Sequence, residues 1–175
     1  MKTATATRTI LPVFTLQSAS YDLRMLDQTH IANMLALQDQ GGDGNIIIRD
    51  SAYYEDHFRS GKSAIGMFAS DGTLAAHALI HTNGNTTLLQ NVVTHPGHRG
   101  HGLMSKLVAH WLETSTVAGY SMAETRVRPT APVSLKRFIE AGLQITETKP
   151  SPEDPSKLVH VLQMPLQHHK MAYAD

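Results

Sequence analysis

The sequence predicts an α/β domain in which helices flank a mixed, mostly antiparallel central sheet. Three observations support this fold class. Strand-like and helix-like segments follow one another in the order β-α-α-β-β-β-α-β-α-β-β. Asp71-Gly72 and Asn83-Gly84 separate three strand-like segments, and such dipeptides favour the tight turns of antiparallel hairpins. From Gly102 onward, apolar residues recur at the three- and four-residue spacing of a helix.

The first half of the domain is predicted to contain four strands and two helices. Tyr21–Leu26 alternates polar and apolar side chains like a strand, and Asp27 can cap the helix that follows. That helix ends at Gly41-Gly42, and a second helix is expected over 52–60, where Gly61 stops it. The hairpin strands are predicted at 63–69, 74–82 and 86–94.

The second half begins with the best amphipathic helix in the chain, from Gly102 to a C-terminal cap at Gly119. A strand over 121–127 and a helix ending at Gly142 follow it. Two further strands are expected near 143–148 and 158–164, with a proline-punctuated loop between them.

Composition limits the kinds of partner and chemistry. Fifteen basic and fifteen acidic residues cancel, so we do not expect a nucleic-acid partner. The apolar runs are far shorter than a membrane span, so no membrane partner is expected either. The chain has no cysteine, which excludes disulfides, thiolate zinc sites and thiol nucleophiles. We expect one domain over 21–166, an N-terminal arm or tail over 1–20, a C-terminal tail over 167–175, and a cytoplasmic location.

The stretch HPGHRGHG, residues 95–102, allows three interpretations. Its three histidines could converge on zinc only if the segment were helical, and Pro96, Gly97 and Gly100 argue against a regular helix there. Alternatively, a glycine-rich turn between a strand and a long helix is the geometry of an anion site, because backbone amides converge at a helix N-terminus. The third interpretation is a solvated connecting loop.

The element order and this turn together resemble the GCN5-related N-acetyltransferase (GNAT) family, over roughly residues 21–164. In that family an R-G-x-G turn, here Arg99-Gly100-His101-Gly102, binds the pyrophosphate of acetyl-coenzyme A. The resemblance implies that the backbone of strand four pairs with the pantetheine arm, and that an amide there polarises the thioester carbonyl. The cofactor-binding residues it implies are Val92, Val93, Thr94, His98, Arg99, Gly100, His101, Gly102, Leu103, Met104 and Ser134.

Departures from the family pattern concern the catalytic acid and base. Phe138 occupies the position where many members place a tyrosine that reprotonates the thiolate, so that role fails here. Many members also use a glutamate on strand four, but no acidic residue lies between Asp71 and Glu113. Met104 stands where the looser motif expects glycine or alanine, and Ala131 stands where many members have asparagine.

Polar residues on the predicted strands three and four are the remaining candidates for catalysis. Strict alternation places Leu89, Asn91, Val93 and His95 on one face of strand four, and Gln90 and Thr94 on the other. Asn91 or Gln90 could orient a water molecule that takes the proton of the amine. His81 is a candidate proton acceptor because histidine titrates near neutrality; the alternative is a surface histidine at a hairpin end.

The resemblance therefore implies an acetyl-coenzyme A-dependent N-acetyltransferase acting on a small-molecule or peptide amine. The residues themselves give Asn91 and His81 as catalytic candidates, and we expect no metal. We expect a ternary complex rather than an acyl-enzyme, since there is no cysteine, and a homodimer is possible. One alternative is a coenzyme A-binding sensor or scaffold that lacks activity. Another is an enzyme whose histidines bind a metal.

Overall fold

The structure is a computed structural model that describes residues 20–42 and 44–167. The predicted N-terminal arm and C-terminal tail lie outside the described residues, apart from Ser20 and Gln167.

One seven-stranded sheet forms the centre of the domain, in the order β1-β2-β3-β4-β5-β7-β6. All neighbouring strands are antiparallel except β4 and β5, which are parallel. The strands are β1 (Tyr21–Leu26), β2 (Ser63–Ala69), β3 (Leu74–Asn83), β4 (Thr86–Thr94), β5 (Met122–Val127), β6 (Gln144–Pro150) and β7 (Leu158–Pro165). The order of strands and helices along the chain is the predicted one, so the predicted fold class is confirmed.

Four α-helices join these strands: α1 (Ile31–Gly41), α2 (Ser51–Arg59), α3 (Leu103–Val117) and α4 (Pro132–Glu140). Local sequence signals set their ends. The Asp27 side chain caps a single 3-10 turn that leads into α1, and the Asp50 side chain caps α2. Gly102 precedes α3 with a left-handed backbone, which a glycine adopts without steric cost.

The two faces of the sheet carry separate hydrophobic cores. On one face, α3 and α4 pack Leu107, Trp111 and Phe138 against the sheet. On the other, α1 and α2 pack Met34 and Tyr54 against it. Since burying one large apolar side chain contributes about 1.5–3 kcal/mol, both faces hold their helices firmly.

The side chains of β4 do not keep the predicted alternation along the whole strand. Its pairing with β3 runs from Leu79 opposite Gln90 to His77 opposite Val93, so two residues of β4 oppose one residue of β3. This β-bulge reverses the inward and outward order of the side chains beyond it. Leu89 therefore lies in the core beneath α3, whereas Val93 lies in the core beneath α1. The prediction that these two side chains share one face was wrong.

Candidate functional site

The sheet opens between its two parallel strands. Residues 86–89 of β4 pair with residues 122–125 of β5, and the pairing stops there. Beyond that point β4 stays paired with β3 as far as Thr94, and β5 stays paired with β7 as far as Val127. The hydroxyl of buried Thr125 donates to the Leu89 carbonyl at 2.9 Å, at the last paired position. Each strand therefore presents one unpaired edge to the gap between them.

A cavity of about 400 Å³ occupies this opening. Its walls come from the α1–α2 loop, the bulged half of β4, the glycine turn, the end of β5, the start of α4 and the β6–β7 loop. Residues distant in sequence thus surround one space, and the two free strand edges supply unpaired backbone amides and carbonyls to it.

The bulge is centred on Asn91. This residue has φ of 51°, the only positive φ of a non-glycine residue in the part of the chain that the structure describes. Asparagine tolerates this left-handed conformation better than most residues do. Asn91 lines the cavity, so the irregular backbone lies at the site itself.

The glycine turn forms the other end of the cavity. A single 3-10 turn over Pro96–His98 leads to Gly100 and Gly102, whose φ values are 83° and 71°. A Cβ atom added at either glycine would have no other atom within 4 Å, so both glycines border empty space. The first-turn amides of α3 have no intrahelical acceptor, and the helix dipole adds partial positive charge. This end of the cavity is therefore suited to phosphate.

The three histidines of the turn contact backbone groups of the turn and Tyr21. The Nδ1 atom of His95 accepts from the Gly97 amide at 3.0 Å. His98 Nδ1 is 3.0 Å from the Tyr21 hydroxyl, and the His101 ring lies against the same tyrosine and bonds to backbone carbonyls. Within residues 20–42 and 44–167, no group of three His, Cys, Asp or Glu residues is arranged to hold a metal ion.

Most of the predicted cofactor residues meet at this cavity. The predicted residues that line it are Val92, Val93, Thr94, His98, Arg99, Gly100, Gly102, Leu103, Met104 and Ser134. His101 is not among the lining residues, because its side chain turns toward Tyr21. Arg99 also ties the turn to α1, since its guanidinium donates to the Gly41 carbonyl at 3.1 Å.

His81 lies away from the cavity. It is opposite Leu88, where β4 is still paired with β5, and its ring packs on His57 at 4.8 Å between centroids. Burial, together with the nearby charge on His57, lowers the pKa of His81 to about 4. The strand register thus places His81 beneath α2 rather than beside the gap. The histidine level with the gap is His77, which is fully buried.

Phe138 borders the cavity as part of the core. It is 2% exposed and belongs to the cluster beneath α3 and α4. Its ring therefore presents apolar surface to the cavity and carries no hydroxyl group that could donate a proton there.

The loops 39–50 and 149–157 carry mixed charges, and their sequences did not predict that two of these charges pair at the cavity. Arg49 and Glu153 form an ion pair there that joins the α1–α2 loop to the β6–β7 loop. Glu153 is the one acidic side chain among the described residues that line the cavity. The Arg49 guanidinium stacks on Tyr53, 4.2 Å from the ring centroid. Arg49 and Glu153 are 104 positions apart in sequence, and no local sequence pattern predicts such a pair.

Residues 32–136, more than half of the chain, match the model of the acetyltransferase (GNAT) family. The chain belongs to that family. No curated protein is significantly similar in sequence.

Solved structures show the same fold. The ribosomal-protein-S18-alanine N-acetyltransferase of Escherichia coli superposes with a TM-score of 0.74 at 12% identity, covering 89% of this chain and 100% of that one. The Salmonella typhimurium protein yncA, solved with its cofactor acetyl-CoA, gives 0.69 at 18% identity, with coverage of 90% and 99%. A phosphinothricin acetyltransferase of Sinorhizobium meliloti in complex with AcCoA gives 0.72 at 13% identity, with coverage of 89% and 96%.

No helix within residues 20–42 and 44–167 has the length and apolar character needed to span a bilayer.

Proposed function

We propose that the protein is an N-acetyltransferase that transfers the acetyl group of acetyl-coenzyme A to an amine within a ternary complex. One observation carries the proposal: the open edge of β4 and the left-handed glycine turn border the same cavity. A long ligand with a phosphate at one end and a peptide-like arm at the other matches that arrangement. Membership of the GNAT family supports the same conclusion.

The chain's own residues fit the cofactor. Amides at Gly100, Gly102 and the start of α3 would hold the pyrophosphate. The free backbone edge at Val92–Thr94 would pair with the amide groups of the pantetheine arm, as a further strand would. Ser134 faces this region from α4 as a small lining residue. When bound, the cofactor supplies an acetyl group activated as a thioester.

The reaction forms a C–N bond to the acceptor and breaks the C–S bond. A backbone amide in the bulged half of β4 would stabilise the charge that develops on the carbonyl oxygen. Asn91 and Gln90 line the cavity and would orient a water molecule that removes the proton of the amine. Since Phe138 has no hydroxyl, the departing thiolate would take its proton from water.

His81 is not part of this proton route. Its ring lies at the closed end of the strand pair, and a pKa near 4 makes it a weak base at neutral pH.

The acceptor is proposed to be a small-molecule or peptide amine that enters between the α1–α2 and β6–β7 loops. Glu153 Oε1 is already paired with Arg49, and its other oxygen, Oε2, would accept a hydrogen bond from the amine at this end of the cavity.

Calorimetric binding of acetyl-coenzyme A, with and without EDTA, tests the cofactor site. We expect binding that does not depend on metal and is lost in a Gly100→Asp/Gly102→Asp variant, because added carboxylates repel phosphate. A Gly61→Asp/Gly72→Asp variant is the matched control, since these glycines have φ of 72° and 85° and also border open space. Absence of binding by the unaltered protein would refute the proposal.

A panel of amines with thiol release as the readout tests turnover. We expect acetylation of at least one amine, and no mass increase of the protein after incubation with acetyl-coenzyme A alone. A stable acylated protein would contradict direct transfer.

A coenzyme A-binding sensor or scaffold is the second candidate. It is favoured by the phenylalanine at position 138 and by the lack of an acid on β4. Tight binding without acetylation of any amine in the panel would support it.

A further inference from the structure

A line of buried polar groups connects the β4 bulge to the α1–α2 region. Asn91 Nδ2 donates to the Tyr54 hydroxyl across a long hydrogen bond of 3.5 Å. The Tyr54 hydroxyl donates to Gln38 Oε1 at 3.1 Å. The Gln38 amide also makes two bonds of 2.8 Å with the backbone of Arg49.

The direction of every hydrogen bond in this line follows from its fixed end. The Arg49 amide can only donate and the Arg49 carbonyl can only accept, so Gln38 must present Oε1 to the first and Nε2 to the second. Gln38 Oε1 then accepts the Tyr54 proton, and the Tyr54 oxygen must accept from its next partner. Asn91 is therefore held with Nδ2 toward Tyr54, which leaves Oδ1 for a ligand or water.

Burial makes this arrangement stable. Tyr54 is 0% exposed and Gln38 is 1% exposed, so neither group can exchange its partner for bulk water. Reversing the Asn91 amide would place Asn91 Oδ1, an acceptor, against the Tyr54 oxygen, and the hydrogen bond between the two residues would be lost. Burial also raises the pKa of Tyr54 to about 12, and its hydroxyl keeps its proton at neutral pH.

Asn91 and Arg49, at the two ends of the line, border the cavity. Asn91 lines the cavity, whereas Tyr54 and Gln38 are not among its lining residues. Asn91 is also the residue whose φ of 51° forms the bulge. Tyr54 can therefore affect the chemistry only through a neighbour, either Asn91 or, by way of Gln38, Arg49. The double variant described below separates these two routes.

We propose that Tyr54 is a positioning residue for acetyl transfer. Together with Gln38, it holds Asn91 in the left-handed bulge and keeps Asn91 Oδ1 available to the acceptor amine or its water. The inference rests on the proposed acetyltransferase function and adds to it the residues that set the geometry of the strand-four edge.

Infrared difference spectra of bound acetyl-coenzyme A, labelled with ¹³C at the acetyl carbonyl, give a readout that needs no acceptor. A hydrogen bond from the bulged backbone lowers the carbonyl stretching frequency. We expect this frequency to rise in Tyr54→Phe, because the bulge loses its anchor. Tyr53→Phe is the matched control: it removes a neighbouring hydroxyl that has no part in the line, and should leave the frequency unchanged.

Kinetics with an amine from the panel give the second readout. We expect Tyr54→Phe to lower kcat about tenfold, the rate equivalent of one lost hydrogen bond, with the KM for acetyl-coenzyme A unchanged. Asn91→Gly keeps the left-handed backbone but removes the amide, and should lower kcat similarly. In the Asn91→Gly background, Tyr54→Phe should cause no further loss, since both changes act on one interaction.

The outcomes separate the two proposals. If the unaltered protein transfers acetyl groups but Tyr54→Phe shows the same frequency and kcat, the positioning role is wrong and the proposed function stands. Independent, multiplying losses in the double variant would likewise overturn it, because they would place Tyr54 outside the Asn91 pathway. If the unaltered protein does not bind acetyl-coenzyme A, both proposals fail. Should Tyr54→Phe not fold, the Asn91→Gly measurements alone decide: unchanged frequency and kcat would refute the role.

Discussion

Asn91 shows how one residue shapes both the sheet and the site. Its left-handed backbone inserts an extra residue into β4, and this moves Val93 to the opposite core from Leu89. Its side chain lies in the cavity and bonds to Tyr54. The sequence indicated Asn91 as a polar candidate on strand four, but alternation alone could not reveal the bulge, because the pairing partner decides the register.

His81 gives a test at the scale of one residue. Its ring lies beneath α2 and outside the cavity, so we expect His81→Gln to change kcat/KM by no more than about twofold, as for a residue away from the chemistry. Acetylation rates between pH 6 and 9, corrected for the folded fraction, provide the measurement. If the rate of the wild type falls toward low pH and His81→Gln removes this acidic limb of the profile, His81 is the base after all.

At the scale of elements, the site depends on where two strands separate. The parallel pair β4 and β5 ends at Leu89 and Thr125, and the glycine turn directly follows β4. The sequence predicted the strand, the turn and the helix in order because their signals are local: apolar alternation, glycines and a helical period. The separation of the strands is not local, since it depends on residues 36 positions apart.

The Thr125 hydroxyl gives a test of this junction. Thr125→Val keeps the shape of the side chain but leaves the Leu89 carbonyl without its side-chain partner, and should lower the free energy of unfolding by about 1 kcal/mol. Urea unfolding provides the measurement. Thr146→Val is the control, because the exposed Thr146 hydroxyl donates to the Val161 carbonyl across a longer distance of 3.4 Å on the edge strand β6. This control should change stability by less than about 0.5 kcal/mol. Equal effects of the two substitutions would contradict a special role of the junction.

At the scale of the whole molecule, the sheet separates two cores of different character. The core beneath α3 and α4 is apolar, and its few polar groups are paired, as in the bond from Trp111 to Thr87 at 2.9 Å. The face beneath α1 and α2 carries three histidines, His57, His77 and His81, with unpartnered ring nitrogens among the described residues. Burial is the main cause of a lowered pKa at each of them, to about 3 for His77 and about 4 for His81.

These histidines predict acid sensitivity. Because their pKa values are lower in the folded protein than the ordinary 6.5, the unfolded chain binds more protons between pH 6.5 and 4. The contribution of these histidines to the free energy of unfolding should therefore be fully present above pH 6.5. It should fall as the pH drops toward 4. Urea midpoints at pH 7.5, 6 and 5 measure this. His57→Asn should make the urea midpoint change less with pH, whereas His110→Gln, on α3, should not. A urea midpoint of the wild type that stays constant with pH would contradict the prediction.

Cofactor binding should also appear as stability of the whole molecule. A ligand that binds only the folded chain raises the free energy of unfolding by about 2.7 kcal/mol at a hundredfold excess over Kd. For a domain of this size that corresponds to a rise in Tm of roughly 5–10 °C. A thermal melt with coenzyme A provides the measurement, with the Gly100→Asp/Gly102→Asp variant as the control that should show no rise.

Local sequence signals predicted the elements of this protein, their order and the glycine turn, because alternation, helical periodicity and glycine spacing act within about a dozen residues. Four features came from the folded chain instead: the bulge at Asn91, the position of His81 outside the cavity, the ion pair of Arg49 with Glu153, and the line from Gln38 to Asn91. The physical reason is that these features arise from strand register and from contacts between loops far apart in the chain. No local preference of the residues encodes either of them.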